Sequence, residues 1–240
     1  MQFSQRSAWL GVLAVVLGGC ASPLPAPDYR ALVASADRSE ADRKNDVRRK
    51  PVQLLEFVDV RPGMKAGDVS SGGGYSTELL ARAVGPTGKV YAHNTGKPRL
   101  EERLKKSGLH NVVEVIGPFE KPFPPDVRDL DLVTFNFNYH DVTYMGVDRD
   151  QMNRAIFAAL KPGGHYIVAD HSAQAGAGVS VGKTLHRIEE SAVRREVEAA
   201  GFRLVAEGGF LRNPGDPRTA PVANPEQPND EFVLKFVKPQ

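Results

Sequence analysis

The chain has 240 residues, 41% hydrophobic and 25% charged. That is enough for one domain, or one large domain with a short appendage, and it excludes a wholly disordered chain and a multi-span membrane protein. Lys and Arg number 31 against 29 Asp and Glu, a net charge of +2 that lacks the basic footprint of a nucleic-acid binder. Cys20 is the single cysteine, so an internal disulfide and a cysteine-based zinc site are excluded.

After Arg6, residues 8–17 are ten uncharged, mostly apolar positions. A spanning helix needs about 20, but the run suits the hydrophobic stretch of an export signal. It ends in Leu17-Gly18-Gly19-Cys20, which resembles the bacterial lipobox. The resemblance implies a signal peptide over residues 1–19 and a lipidated Cys20 that carries diacylglycerol as a thioether. Ala21, not Asp, follows the cysteine, which by the same resemblance implies an outer-membrane lipoprotein facing the periplasm, with the lipid as its only membrane contact. Residues 20–37 are expected to be the tether, stiffened by three prolines within 22–27. The folded domain is expected over 38–240, with Tyr29 as its earliest start.

The body reads as alternating helix and strand. Residues 38–50, dense in both charge signs, predict a solvated helix that Pro51 closes, because a residue before proline avoids the helical region. Residues 52–58 predict an apolar helix. After the turn Arg61-Pro62-Gly63 come a strand at 65–70, a helix at 75–84, a strand at 89–93, a helix at 101–107 and strands at 112–116 and 131–137. A helix at 149–160, a strand at 165–169, a helix at 189–200 and strands at 202–207 and 232–237 complete the order. Such alternation implies an α/β fold with a parallel sheet covered on both faces, whose ligands bind at the carboxyl ends of the strands. Residues 213–229 contain five prolines and predict a long loop.

Asp68-Val69-Ser70-Ser71-Gly72-Gly73-Gly74 lies between a predicted strand and a predicted helix. Glycines there let a ligand approach the backbone and free the N–H groups at a helix start. Together with Leu79-Leu80-Ala81, Val84-Gly85 and Gly88-Lys89-Val90, the run resembles the first motif of class I S-adenosylmethionine-dependent methyltransferases, particularly the protein-isoaspartate-like ones. Asp131-Leu132-Val133 resembles that superfamily's fourth strand, and Leu160-Lys161-Pro162-Gly163-Gly164 its turn into the fifth. More narrowly, Asn138-Tyr139-His140-Asp141, Leu185-His186-Arg187-Ile188 and Arg194-Arg195-Glu196-Val197-Glu198 resemble an exported, methyltransferase-like bacterial family. The resemblance implies a Rossmann-like seven-stranded sheet, mostly parallel with an antiparallel final strand. It also implies S-adenosyl-L-methionine as cofactor but supplies no substrate; the expected reaction is methyl transfer to an unidentified small-molecule or envelope acceptor, and the balanced charge predicts no nucleic-acid partner.

By the same resemblance, Asp68, Ser70, Gly72, Gly74, Asn94 and Phe119 hold the cofactor. Three positions depart from the pattern. Ser70 replaces the first glycine, Asn94 replaces the acid that accepts from both ribose hydroxyls, and Pro118 replaces an acid after the third strand, leaving Phe119 to pack on the adenine or in the core. These departures, together with export, support a second reading: a non-catalytic binding or envelope-interaction protein on a methyltransferase scaffold.

The chemistry is expected after the fourth strand, in Asn136-Phe137-Asn138-Tyr139-His140-Asp141. His140 is the expected general base, since an imidazole titrates near neutrality. Asp141 is its expected orienting partner, with Asp170 on the next strand as the spare. Asn136, Asp170 and His171 resemble the metal ligands of catechol-type O-methyltransferases, but a histidine in place of the amide suits magnesium less well, and no metal ligand is assigned. His186 follows a glycine-rich loop at 176–182 and reads as a packing or capping residue. Arg187 is expected to pair with a carboxylate, of a substrate or of the protein.

Overall fold

The computed structural model describes residues 24–223 and 228–240; the leader, Cys20 and residues 21–23 of the tether lie outside them. Seven strands form one sheet: β1 (Lys65–Val69), β2 (Lys89–Asn94), β3 (Val112–Ile116), β4 (Leu130–Asn136), β5 (Leu160–His171), β6 (Arg203–Gly208) and β7 (Glu231–Val237). Their order is β3-β2-β1-β4-β5-β7-β6. The first five run parallel, and β7 is antiparallel to both β5 and β6. This is the Rossmann-like sheet that the motifs implied.

Strand side chains alternate between the two faces, and the core divides accordingly. Val133, Phe135, Tyr166, Val168, Leu234 and Phe236 pack on one face. Leu132, Ile167, Ala169 and Val233 pack on the other. Helices cover both: α3 (Pro51–Val58) and α4 (Tyr75–Val84) lie against the second face, and α7 (Arg149–Ala159) and α9 (Glu190–Ala199) against the first. Full burial of each Leu, Val or Phe contributes about 1.5–3 kcal/mol.

Three features differ from expectation. The folded body begins at α1 (Tyr29–Val33), not at residue 38, because Tyr29 is buried and its hydroxyl donates to Val60 O at 2.6 Å. The second helix, α2 (Glu40–Arg49), starts at the Ser39 cap and ends where Lys50 turns left-handed, out of the right-handed helical region that Pro51 disfavours. Yet it is not solvated throughout. Asp42 is buried, Asp46 holds Arg38 at 2.6 and 2.9 Å, and Asp46 also accepts from the Tyr75 hydroxyl at 2.6 Å. Finally, β5 starts at Leu160, which pairs with Leu130 ahead of a register shift.

Short helical turns occupy two segments outside the predicted helices and strands: α6 (Tyr139–Val142) and α8 (Gly182–Leu185). Glycine is required at 182. A Cβ there would lie 2.3 Å from Thr143 Oγ1 and 2.7 Å from His140 O, so only glycine lets α8 approach α6 this closely. The proline-rich loop is tied down from inside. Arg187, 1% exposed, donates to Asp216 at 2.8 Å, to Asn229 at 2.9 Å and to Ala220 O at 2.9 Å. Its carboxylate partner therefore belongs to the protein.

Candidate active site

Strands β1 and β4 are neighbours whose connections leave in opposite directions, β1 toward β2 and β4 toward β5. A crevice opens at such a switch point, beyond the carboxyl ends. Here it is a polar cavity of about 270 Å³, lined by the loop after β1, by Asp42 and Arg49 of α2, and by Asn136 and Asn138 after β4. A larger depression of about 620 Å³ lies beside Phe123, Pro124 and Val127. Its wall is mainly apolar and brings no cluster of polar side chains together, so the smaller cavity is the candidate site.

Gly72 and Gly73 face open space, where even a Cβ would meet nothing within 4 Å. Arg49 lies between two aromatic rings, its guanidinium carbon 4.8 Å from the Tyr75 centroid and 4.9 Å from that of Phe137. Among the described residues it forms no salt bridge, and its buried Nε has no hydrogen-bond partner. Burial, then the neighbouring Arg48, pulls its pKa below the usual value. Two more buried atoms without partners belong to the same lining, Ser71 Oγ and Asn136 Oδ1. A guanidinium, a hydroxyl and an amide oxygen thus converge on one space. Buried polar atoms are rarely left unpaired, so the lining fits a polar ligand carrying an anionic group. Arg49 was not singled out from the sequence, where it is one cation in a charge-dense run.

The sequence-derived cofactor residues are placed as follows. Asp68 lines the cavity, but its carboxylate accepts from the Thr77 and Thr134 hydroxyls at 2.6 and 2.9 Å. Burial raises its pKa to about 6 against the opposing effect of those bonds. Ser70 lines the cavity in a left-handed conformation, φ 56°. Gly74 is buried at the start of α4, packed on Leu100 and Arg103. Asn94 has its amide engaged: Oδ1 accepts from Gly72 N at 2.8 Å, and Nδ2 donates to Glu114 at 3.0 Å and to Gly72 O at 3.2 Å. It closes the glycine loop onto β2. Phe119, read as an adenine contact or a core residue, packs in the core between His93 and Phe135.

Beyond Asn138 stands a second cluster. His140 Nδ1 lies 2.7 Å from Asp170 Oδ1, and its Nε2 lies 3.3 Å from Asp141 Oδ1. Asp170 is therefore the residue that orients the ring, and Asp141 meets its other nitrogen. Burial disfavours the charged imidazole, but the bonds to Asp141 and Asp170 outweigh it and raise the pKa from 6.5 to about 9. Both ring nitrogens thus face carboxylates, Asp170 at Nδ1 and Asp141 at Nε2. His186 also reaches Asp141, 3.5 Å from Oδ1, as more than a capping residue. The catechol-type trio is not assembled. Asp170 is spent on His140 and on the His171 amide, while His171 Nδ1 lies 3.0 Å from Glu231, out of line for a hydrogen bond. Asn136 Nδ2 donates to Ser76 Oγ at 3.4 Å.

The family model for protein-L-isoaspartate(D-aspartate) O-methyltransferase matches residues 50–176, more than half of the chain. The chain belongs to this family, within the class I S-adenosylmethionine-dependent methyltransferases. A ubiquinone/menaquinone biosynthesis C-methyltransferase, UbiE of Escherichia coli strain K12 / DH10B, is 31% identical over 121 residues, 49% of this chain and 47% of that protein. The chain spans about half the length of the curated relatives it matches. A solved S-adenosylmethionine-dependent methyltransferase from Aquifex aeolicus superposes with a TM-score of 0.60 at 19% identity, over 82% of this chain and 97% of that one. The cyclase SpnF superposes with a TM-score of 0.58 at 17% identity, over 86% of this chain and 85% of that one. Likeness at this level concerns the fold alone. The family's cofactor is S-adenosylmethionine, and the cavity's partnerless donors and acceptors fit its amino-acid end.

Proposed function

We propose that this protein is an S-adenosylmethionine-dependent methyltransferase that delivers the methyl group to an oxygen or nitrogen nucleophile on a small molecule or an envelope component. One observation carries the reading: three buried polar atoms without partners, on Arg49, Ser71 and Asn136, converge at the switch point beside the open glycine loop. When bound, S-adenosylmethionine supplies an electrophilic methyl on a sulfonium. Arg49 would receive the carboxylate, Asn136 Oδ1 would accept from the ammonium, and the bare backbone at Gly72 and Gly73 would let the chain of the ligand lie close. Transfer to a nucleophile is an in-line displacement, so the protein's contribution is mainly to position the two reactants. Calorimetric titration with S-adenosylmethionine and S-adenosylhomocysteine tests the reading. Micromolar binding supports it, and absence of binding to both ligands defeats it.

A second reading, a non-catalytic binding protein on the same scaffold, has one observation in its favour: Asn94, at the expected ribose position, is already engaged with Gly72 and Glu114. Binding without turnover on any acceptor would support it. The lipid anchor and the envelope location remain part of the proposal and rest on residues 8–20 alone. An intact mass of the mature protein without acyl chains would remove them.

A further inference from the structure

We propose that His140, Asp141 and His186 form a binding site for a divalent first-row transition metal ion of the zinc class. None of the three residues lines the cofactor cavity, although Asn138, which does, holds Asp141, and the metal is measured without S-adenosylmethionine. One ligand atom of each residue lies within 4.8 Å of the other two. Asp141 Oδ1 is 3.3 Å from His140 Nε2 and 3.5 Å from His186 Nδ1. Ligands held at about 2.0–2.1 Å in a tetrahedron are separated by roughly 3.3–3.4 Å, so two of the three edges already have the right length.

The surroundings are built as a metal site requires. A ligating histidine gives its other nitrogen to a carboxylate or carbonyl that fixes the ring. His140 Nδ1 is so held by Asp170, which is fully buried and fixed by the His140 and His171 amides, each at 2.8 Å. Asp141 Oδ2 is turned away from the cluster by Asn138 Nδ2 at 2.9 Å, which leaves Oδ1 facing the histidines. Tyr144 donates its hydroxyl to that same Oδ1.

Two backbone features bring in the third residue. Gly182 permits the close approach of α8 to α6. His186 takes the left-handed conformation, φ 53° and ψ 45°, at the end of α8. Glycine or asparagine is usual there, so a histidine at that point marks a demand on its side chain. The side chains grade from 4% exposed at His140 through 22% at Asp141 to 42% at His186. A fourth coordination position would therefore open outward, to water or a substrate. Two imidazoles and one carboxylate suit zinc, cobalt, nickel or iron, whereas magnesium and calcium prefer oxygen donors.

The test uses full-length, tag-free protein stripped with a chelator and titrated with Co²⁺, followed by displacement with Zn²⁺. One Co²⁺ per chain is expected, with the visible absorption of a four- or five-coordinate site, lost on adding one equivalent of Zn²⁺. Asp170→Asn should weaken binding about 10–100-fold, the usual cost of losing an outer partner. His186→Ala removes a ligand at the exposed mouth, so folding should survive, and it should weaken binding further still. A wild-type protein that binds neither ion overturns the site and leaves a histidine–carboxylate network. So does binding that His186→Ala leaves unchanged in affinity and spectrum. Neither result bears on titration with S-adenosylmethionine, so this proposal and the proposed function can fail separately.

Discussion

Arg49 shows how much of a site can rest on one side chain. Its charge is partly desolvated, stacked between Tyr75 and Phe137, and matched by no ion pair among the described residues. A bound carboxylate would supply the missing partner, and a hydrogen bond to a charged group is worth about 1.5–3 kcal/mol. Arg49→Ala should therefore weaken S-adenosylhomocysteine roughly 10–100-fold in calorimetry; an unchanged dissociation constant would remove Arg49 from the site. Asp68 makes a different prediction. Its folded pKa of about 6 stands above the ordinary 3.8, so the folded state holds the proton more tightly than the unfolded chain. The stabilisation from that proton is complete below about pH 3.8 and is lost as pH rises through about 6. The swing is on the order of 3 kcal/mol. Urea unfolding of Asp68→Asn should lack this slope, and a slope equal to the wild type's would contradict the assignment. The glycine motif was legible because its order along the chain is specific. Asn94 was legible only as a neutral replacement at the ribose position. Its bonds to Gly72 and Glu114 depend on three segments meeting, which no local pattern records.

Among the elements, α2 departs furthest from its sequence signal. A run of mixed charge usually marks a solvated face, but here Asp42 and Asp46 point inward and α2 roofs the cavity. Asp42 pairs with Arg103, a residue 61 positions on in the chain, and spacing within α2 cannot foresee that bond. The loop over residues 213–229 was legible from its prolines, whereas its internal anchor was left open between substrate and protein. Arg187 settles it by gathering Asp216, Asn229 and Ala220 around one buried guanidinium. Removing one member of a buried ion pair costs about 3–5 kcal/mol, because the other is left charged and unpaired. Arg187→Met should lower stability by that amount in denaturant unfolding and expose the loop to limited proteolysis. Adding Asp216→Asn should recover part of the loss. If the double variant loses the sum of the two single effects, the pair is not coupled.

At the scale of the whole molecule, the strand–helix alternation and the order of motifs made the sheet legible, because each strand needed only its own hydrophobic pattern and its turn. The cavity was less so, since its lining comes from α2, the loop after β1 and the end of β4, and α2 carries no motif, only a run of mixed charge. That same construction gives a global prediction. A ligand touching three separate segments must be released when the domain unfolds, so binding stabilises the entire fold by RT ln(1 + [L]/Kd). S-adenosylhomocysteine at 100 times its dissociation constant should add about 2.7 kcal/mol. For a domain of this size that raises Tm by roughly 5–11 °C. At the same concentration the Arg49→Ala protein, binding 10–100-fold more weakly, should gain only about 0.4–1.4 kcal/mol, a shift of roughly 1–6 °C. Scanning calorimetry of both proteins with and without ligand measures the two shifts. Equal shifts would place the ligand away from the cavity under α2, and no shift in the wild type would mean that the switch-point crevice does not take this cofactor.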